Sequence, residues 1–309
     1  MKTTIGIDVS SATLQACLLR DGDSSQLQRS FENSKKGVRK LTHWVKTFSP
    51  CTVVMEATGG YEKAAKEHLM KSDIIPYVAN PNQIRHFAQG MGKQVKTDRI
   101  DAYVIASFAR VVQLKTPVKS SETEIQLKEL ITRRLELLGM RTAEQNRLRT
   151  AGKIVKKSIR KTLKVFEKEL ERLEDEIIEL SRSDGEIERK KELLCTQSGV
   201  GQITALTMIA LVPELGQVNR KEIASICGVA PMTRESGNWK GRSFVCGGRA
   251  MARKALYMPA LVAITHDKEL AEFYNRLVEK GKPKKVALVA VMRKLLVKLN
   301  HLLKYHFYS

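Results

Sequence analysis

Apolar and polar residues alternate with a period near two in the first segments of the chain and shift to a period between three and four further on, which predicts strands first and helices afterwards. Thr3-Thr4-Ile5-Gly6-Ile7-Asp8-Val9 is a short β-branched run, and after Ser10-Ser11 a second alternating segment covers 13–19, so the two predict a hairpin. Asp21-Gly22-Asp23 marks a turn into a third strand, 26–31. Ser34 stands where it can cap a helix with Val38, Leu41, Trp44 and Val45 on one face. Thr52-Val53-Val54-Met55 reads as a buried strand that ends in Glu56-Ala57-Thr58-Gly59-Gly60. A helix over 61–70, a strand over 74–78 and a helix opened by Pro81 follow. A further helix then opens at Asp98 and carries Ile100, Val104, Phe108 and Val111.

The order β, β, β, α, β, α, β, α puts antiparallel strands before crossover units and predicts a mixed sheet with helices on its faces, as in the ribonuclease-H-like fold. Beyond it the pattern is helical. Leu127, Ile131, Leu135 and Leu138 mark one helix, and Ile159, Leu163, Phe166, Leu170, Leu173, Ile177 and Leu180 form a heptad seam in a second. A helical hairpin or an oligomerising coiled coil satisfies that seam. Ser198-Gly199-Val200-Gly201 joins two helical segments through a glycine turn of the helix-hairpin-helix kind, where backbone N–H groups could meet a phosphate. A helix over 221–229 is stopped by Pro231, 233–242 reads as a polar, glycine-flanked loop, and 251–263 as another helix. The division expected is an α/β domain over 1–115, a helical coiled-coil connector over 116–192 and a mainly helical domain over 193–309.

Charge narrows the partners. Of 309 residues, 54 are Lys or Arg and 33 Asp or Glu, and a formal net charge of +21 exceeds what solubility requires, so a polyanion is the natural partner. The excess is +7 over 1–115, +3 over 116–192 and +11 over 193–309. Six cations, Lys153, Lys156, Lys157, Arg160, Lys161 and Lys164, lie beside the seam and read as a solvated or a phosphate-tracking face. Five cysteines without a CxxC pair argue against a zinc site and a disulfide framework. The start lacks a signal-type apolar core and no apolar run reaches membrane-spanning length, so a cytoplasmic location and no membrane partner are expected. HExxH, the Walker glycine loop and GxGxxG are all missing, which excludes the commonest metalloprotease, nucleotide-hydrolase and dinucleotide-binding signatures.

Four carboxylates fall where they could meet: Asp8 near the end of the first strand, Glu56 at the end of the fourth, and Asp98 with Asp101 on one face of a helix start. Clustered carboxylates repel unless a cation sits among them, and hard oxygen ligands suit Mg²⁺ or Mn²⁺. Two such ions can hold the attacking and leaving oxygens of a phosphodiester. Three of the carboxylates also have a plainer reading, Asp98 and Asp101 as helix-start carboxylates and Glu56 as an exposed strand end, whereas Asp8, following Ile5-Gly6-Ile7 in the first strand, would be costly to bury without a partner. The glycine-rich, basic segment 90–97 could admit a phosphate backbone or be a plain loop. In the loop at 233–242, Ser236 is flanked by Arg234, Lys240, Arg242 and, further on, Arg249, the setting of a phosphoryl-transfer nucleophile, although Ser-Gly is also a common turn pair. Tyr257 is a weaker candidate because it falls within the expected apolar helix.

Ile5-Gly6-Ile7-Asp8, Glu56-Ala57-Thr58-Gly59, Lys96-Thr97-Asp98-Arg99-Ile100-Asp101-Ala102, Gly199-Val200-Gly201, Glu235-Ser236-Gly237 and the stretch from Arg253 to Ala260 together resemble the transposases of the insertion sequence 110 family, relatives of Piv-type DNA invertases. The resemblance implies a RuvC-like N-terminal domain whose DEDD metal site is Asp8, Glu56, Asp98 and Asp101, a coiled coil, and a C-terminal transposase domain in which Ser236 forms a phosphoserine link to DNA. It also implies a noncoding guide RNA, DNA partners at the element ends and at the target, and a homo-oligomer, dimer or tetramer. The family often has Ser-Lys-x-Gly where this chain has Cys246-Gly247-Gly248-Arg249. From the residues alone, a metal-dependent junction nuclease and a non-catalytic nucleic-acid-binding protein are the alternatives.

Overall fold

A computed structural model describes residues 3–22, 26–92, 98–112, 114, 121–232, 235–236, 239–240 and 244–308, with backbone alone at 98, 99, 235, 236, 239 and 240. The chain forms two compact units, residues 1–119 and 120–309.

The first unit is built on a five-stranded sheet of order β3-β2-β1-β4-β5. Its strands are β1 (Thr3–Val9), β2 (Thr13–Arg20), β3 (Gln26–Glu32), β4 (Thr52–Glu56) and β5 (Tyr77–Ala79). β1, β2 and β3 pair antiparallel, while β4 runs parallel to β1 and β5 parallel to β4, which is the mixed sheet that the element order predicts. β5 starts later than the expected strand because Pro76, lacking an N–H, cannot join the ladder. Helices α1 (Lys35–Lys46), α2 (Lys63–Met70), α3 (Pro81–Gly90) and α4 (Asp98–Val111) complete the unit. Ser34 caps α1 by accepting from the Gly37 N–H, and Asn80 caps α3 ahead of Pro81.

Strand alternation sorts the core into two faces. Ile5, Ile7, Val53 and Met55 pack with Val38, Leu41, Trp44 and Leu69 of α1 and α2. On the opposite face Val54 and Ala79 pack with Val104, Ile105 and Phe108, and Cys17 and Leu19 with Ala102 and Ala106. Gly6 is on this second face. A Cβ built there would lie 2.3 Å from the Ala106 nitrogen and 2.5 Å from the Ala102 oxygen, so the backbone of α4 rests directly on β1.

The second unit is helical. α5 (Glu122–Thr150) and α6 (Lys153–Arg182) are joined by two residues and fold back as an antiparallel hairpin, tied by an ion pair between Arg134 and Glu174 at 2.6 Å. Ser121 and Glu124 form a reciprocal capping box at the start of α5. The heptad seam is occupied within the chain: Leu170 and Leu173 pack with Leu137, with Phe166 and Leu138 beside them. α7 (Gly185–Cys195), α8 (Gln202–Leu211), α9 (Arg220–Ile226), α10 (Ala250–Ala255), α11 (Tyr257–His266), α12 (Lys268–Glu279) and α13 (Lys284–Phe307) follow. Leu127, Ile131, Ile177 and Ile187, from the segment expected as a connector, share one core with Leu206, Ile223, Leu256 and the α13 residues Val291, Leu295 and Leu299.

Three boundaries differ from the periodic pattern. α9 ends before Gly228, whose φ of 63° turns the chain out of the helix. The expected helix over 251–263 is two helices broken at Leu256, because Pro259 has no N–H to offer the preceding turn. The polar loop expected over 233–242 is flanked by paired backbone, β6 (Pro231–Met232) with β9 (Phe244–Val245), and contains a second pair, β7 (Glu235–Ser236) with β8 (Trp239–Lys240).

Gly6→Ala is expected to lower stability by about 1–3 kcal/mol, since the added methyl meets backbone that cannot yield without moving α4. Urea unfolding at unchanged m-value measures it, and wild-type stability would show that α4 does not rest on Gly6.

Candidate active site

Gly6 lies beside Val54 and Ile7 beside Met55 in the parallel register of β1 and β4. Asp8 and Glu56, one step further, therefore come level at the carboxyl edge of adjacent strands, about 4.8 Å apart in backbone terms. Alternation puts both on the face of Gly6 and Val54, which is the face α4 covers. The direction of α4 follows from its other end. Arg110 pairs with Asp21 at 3.2 Å, and Asp21 directly follows Arg20, the residue opposite Thr3 at the start of β1. α4 thus runs back along β1, and its first turn, with Asp98 and Asp101, lies toward the edge where Asp8 and Glu56 end their strands.

Asp8, Glu56 and Asp101 each have an interaction partner, and among the described residues no three His, Cys, Asp or Glu side chains gather closely enough to hold a metal. The Asp98 side chain and residues 93–97 of the glycine-rich segment lie outside the described residues. In donor chemistry the four positions suit a hard divalent cation, since all of them offer carboxylate oxygen.

Two residues that the sequence reading passed over organise this edge. Glu62 Oε2 accepts from the Thr58 N–H at 3.1 Å, the Thr58 hydroxyl at 2.9 Å and the Gly60 N–H at 2.9 Å, which folds the segment after Glu56 around one carboxylate. Gly59 and Gly60 adopt φ of 76° and 129°, a backbone that other residues rarely take, and this turn delays the start of α2. Burial alone would raise the Glu62 carboxyl, but the backbone and Thr58 hydrogen bonds outweigh it and hold the group below its ordinary value. Asn33 donates from Nδ2 to the Ser10 carbonyl at 2.8 Å and the Tyr61 carbonyl at 3.1 Å, stitching the β1–β2 turn to the segment after β4. Glu62 could have been flagged by its place two residues after a Gly-Gly pair. Asn33 gives no local signal, since both its partners are distant.

In the second unit, Ser236 is held in a backbone pair with Trp239. The side chains over 233–243, including those of Arg234, Ser236, Lys240 and Arg242, lie outside the described residues. Arg249 has a different task from the expected one of stabilising charge near Ser236. Its guanidinium binds Glu214 through two contacts, 2.5 and 2.7 Å, and donates to the Leu211 carbonyl at 3.1 Å, so its charge is already matched. Arg253 donates to the carbonyls of Gly228 at 3.2 Å and Gly247 at 2.7 Å. A Cβ at Gly248 would meet the Gly228 nitrogen at 2.3 Å, so glycine is required on both sides of this crossing. These contacts anchor the strand that returns from the Ser236 segment.

The glycine turn between α7 and α8 is likewise a packing device. A Cβ at Gly199 would lie 2.6 Å from the Pro259 carbonyl oxygen, so the turn packs against α11, while at Gly201, the cap of α8, a Cβ would meet nothing within 4 Å. Tyr257, expected inside an apolar helix, is the first residue of α11 and is 44% exposed, so burial does not set it aside. The buried thiols are inert as nucleophiles: burial pushes Cys17 up to about 11 and Cys227 up to about 12. Among the described residues no helix is long and apolar enough to cross a membrane.

Comparison with known proteins agrees along the chain. Residues 5–153 match the DEDD-type IS110 family model described as a transposase, and residues 191–275 match the model described as Transposase IS116/IS110/IS902 family. The chain is also 29% identical, over 307 residues, to the pilin gene-inverting protein of Moraxella bovis, with 96% of this chain and 94% of the relative covered. The pilin gene-inverting protein of Moraxella lacunata matches with the same identity and coverage.

The Glu62 turn generates a pH prediction. A carboxyl whose native pKa is depressed contributes stability that is full above its unfolded value, about 4.3, and is lost as pH falls through the lower native value. Glu62→Gln should therefore lower the unfolding midpoint at neutral pH and flatten its decline on acidification. An unchanged profile would show that the Glu62 carboxylate does not hold the turn.

Proposed function

The chain belongs to the IS110 family of transposases, an enzyme family acting on DNA, and from that premise we propose a site-specific recombinase that cuts and rejoins DNA at the ends of an insertion sequence and at its target. The observation that carries the reading is the register that brings Asp8 and Glu56 level at the ends of adjacent strands, with α4 running so that its first turn lies toward that edge, in a chain that aligns along nearly its whole length with DNA-inverting proteins. The strand order β3-β2-β1-β4-β5 supports a ribonuclease-H-like, RuvC-like reading of the N-terminal domain.

In this reading Asp8, Glu56, Asp98 and Asp101 hold Mg²⁺ or Mn²⁺. When bound, the cation supplies Lewis-acid stabilisation of charge on the scissile phosphate. The Glu62 turn and Asn33 keep Asp8 and Glu56 in register, so that the carboxylates meet the phosphate without reorganising. Ser236 attacks the phosphorus: a bond forms from Oγ, the bond to the leaving deoxyribose oxygen breaks, and the serine proton is passed to that oxygen. The phosphoserine ester conserves the phosphodiester energy until a second DNA end attacks it and regenerates the serine. The cations Arg234, Lys240 and Arg242 offset the charge of the pentacoordinate transition state. A noncoding guide RNA supplies sequence choice, the working form is a homo-oligomer, dimer or tetramer, and the protein acts in the cytoplasm.

Ser236→Ala should reduce strand exchange by more than about a thousandfold, as expected for loss of a nucleophile, while DNA binding persists. Asp8→Asn should do the same with its fold intact. On a denaturing gel the wild type with nicked, labelled DNA, Mg²⁺ and guide RNA should give a slow, protease-sensitive band that Ser236→Ala lacks. Equal recombination by wild type and Ser236→Ala would defeat the serine mechanism, and full activity in excess chelator would defeat the metal site.

A further inference from the structure

The hairpin of α5 and α6 is nearly balanced in charge as a whole, but its charges are segregated along its length. Residues 141–168 carry ten Lys or Arg and two Glu, whereas residues 169–182 carry two basic and six acidic side chains. On α6 the cations are also sorted by face. Lys153, Lys157, Arg160, Lys164 and Lys168 follow one another at spacings of four, three, four and four, which is a single stripe on an α-helix, with Lys156 and Lys161 on either side of it. The five residues of the stripe and Lys161 are exposed, and the stripe lies beside the buried seam of Ile159, Leu163 and Leu170. Continuing the same line beyond Lys168, the next positions are Glu171, Asp175 and Glu179. One flank of one helix thus reverses its charge within a single turn.

Pairing separates the two halves again. Elsewhere in the hairpin and in α7 ion pairs recur: Arg133 with Glu136, Arg134 with Glu174, Arg172 with Glu169 and Glu176, Lys190 with Glu186, and Lys191 with Glu188. Among the described residues none of the seven cations from Lys153 to Lys168 has an ion-pair partner. Among the described residues the C-terminal core contains none between Leu135 and Ile177, so the stripe is covered by nothing from that core. Seven like charges held unpaired on one face repel one another and are unfavourable until an anion approaches.

We propose that this stripe is a docking surface for the phosphate backbone of duplex DNA. From Lys153 to Lys168 it extends about 22 Å at 1.5 Å per residue, which spans about six base-pair steps at 3.4 Å each. Lys and Arg spaced along one exposed helix flank suit phosphate oxygens, and phosphate contacts position the duplex without selecting sequence. The acidic continuation at Glu171, Asp175 and Glu179 repels phosphate and marks where the contact ends. Duplex DNA is the occupant that fits both the charge and the substrate of the family. The assignment rests on the DNA-recombinase reading for the identity of the polyanion, but not on the chemistry at Ser236 or at the carboxylates.

The test uses the full-length protein and a random-sequence DNA duplex of about 30 base pairs, with affinity measured by fluorescence anisotropy across a series of salt concentrations. The variant K157Q/R160Q/K161Q/K164Q alters exposed, unpaired helix positions. Its slope of log affinity against log salt should be shallower than wild type by about 3 to 4, four contacts at about 0.9 each. K35Q/K36Q/R39Q/K40Q on α1 removes the same charge elsewhere and should keep the wild-type slope. E171K/D175K lengthens the stripe and should steepen the slope. Identical slopes for wild type and the stripe variant, an equal loss in both quadruple variants, or loss of binding to duplex RNA with duplex DNA unaffected would each overturn the proposal. Should the slopes behave as expected while the wild type performs no strand exchange, the recombinase reading falls and the DNA-docking surface stands.

Discussion

The N-terminal unit depends on the contact between two backbones at Gly6. Most sheet–helix packing keeps the layers apart by the depth of two side chains, but here a glycine on β1 meets Ala102 and Ala106 on α4 with nothing between them. The opposite face of the sheet is padded in the usual way by Ile5, Ile7, Val53 and Met55. This asymmetry lets α4 run low along β1, with Arg110 at the strand's beginning and Asp98 and Asp101 toward its end. A longer side chain at position 6 would lift the helix, and two of the four carboxylates would rise away from Asp8 and Glu56.

Elsewhere on that edge, geometry is held by hydrogen-bonded polar groups. Glu62 gathers the turn after Glu56, and Asn33 ties that turn to the one between β1 and β2. The second unit solves the same problem with arginines and glycines: Arg249 and Arg253 grip carbonyls and Glu214, while Gly228, Gly247 and Gly248 let the chain cross itself closely. In both units the residues proposed to do chemistry sit on short strands, at strand ends or in the first turn of a helix, and the residues that place them are glycines or hydrogen-bonded side chains.

The charge of the chain is similarly divided by role. Arg249, Arg172 and Lys191 are matched to carboxylates and belong to the architecture. The cations from Lys153 to Lys168 are held in excess on one face. A net charge says only that a polyanion is wanted; the pairing pattern separates cations already used from those still available.

Much of this was legible in the residues themselves. The strands of the first sheet, the cap at Ser34 and the carboxylates at the ends of β1 and β4 follow from alternation and from a side chain that hydrogen-bonds within three residues of itself. Such signals are local, so a short window of sequence contains both partners. The heptad seam was equally plain, but periodicity specifies an apolar stripe and not what covers it, and it was the two-residue link to α5 and the match with Leu137 that satisfied it within the chain. The role of Arg249, the close approach of Gly199 to α11 and the low seat of α4 on Gly6 could not be read in advance, because each joins residues tens of positions apart. Sequence determined which groups are present and how each segment coils; tertiary structure decided which charges meet, since Coulomb and packing forces act through space and not along the chain.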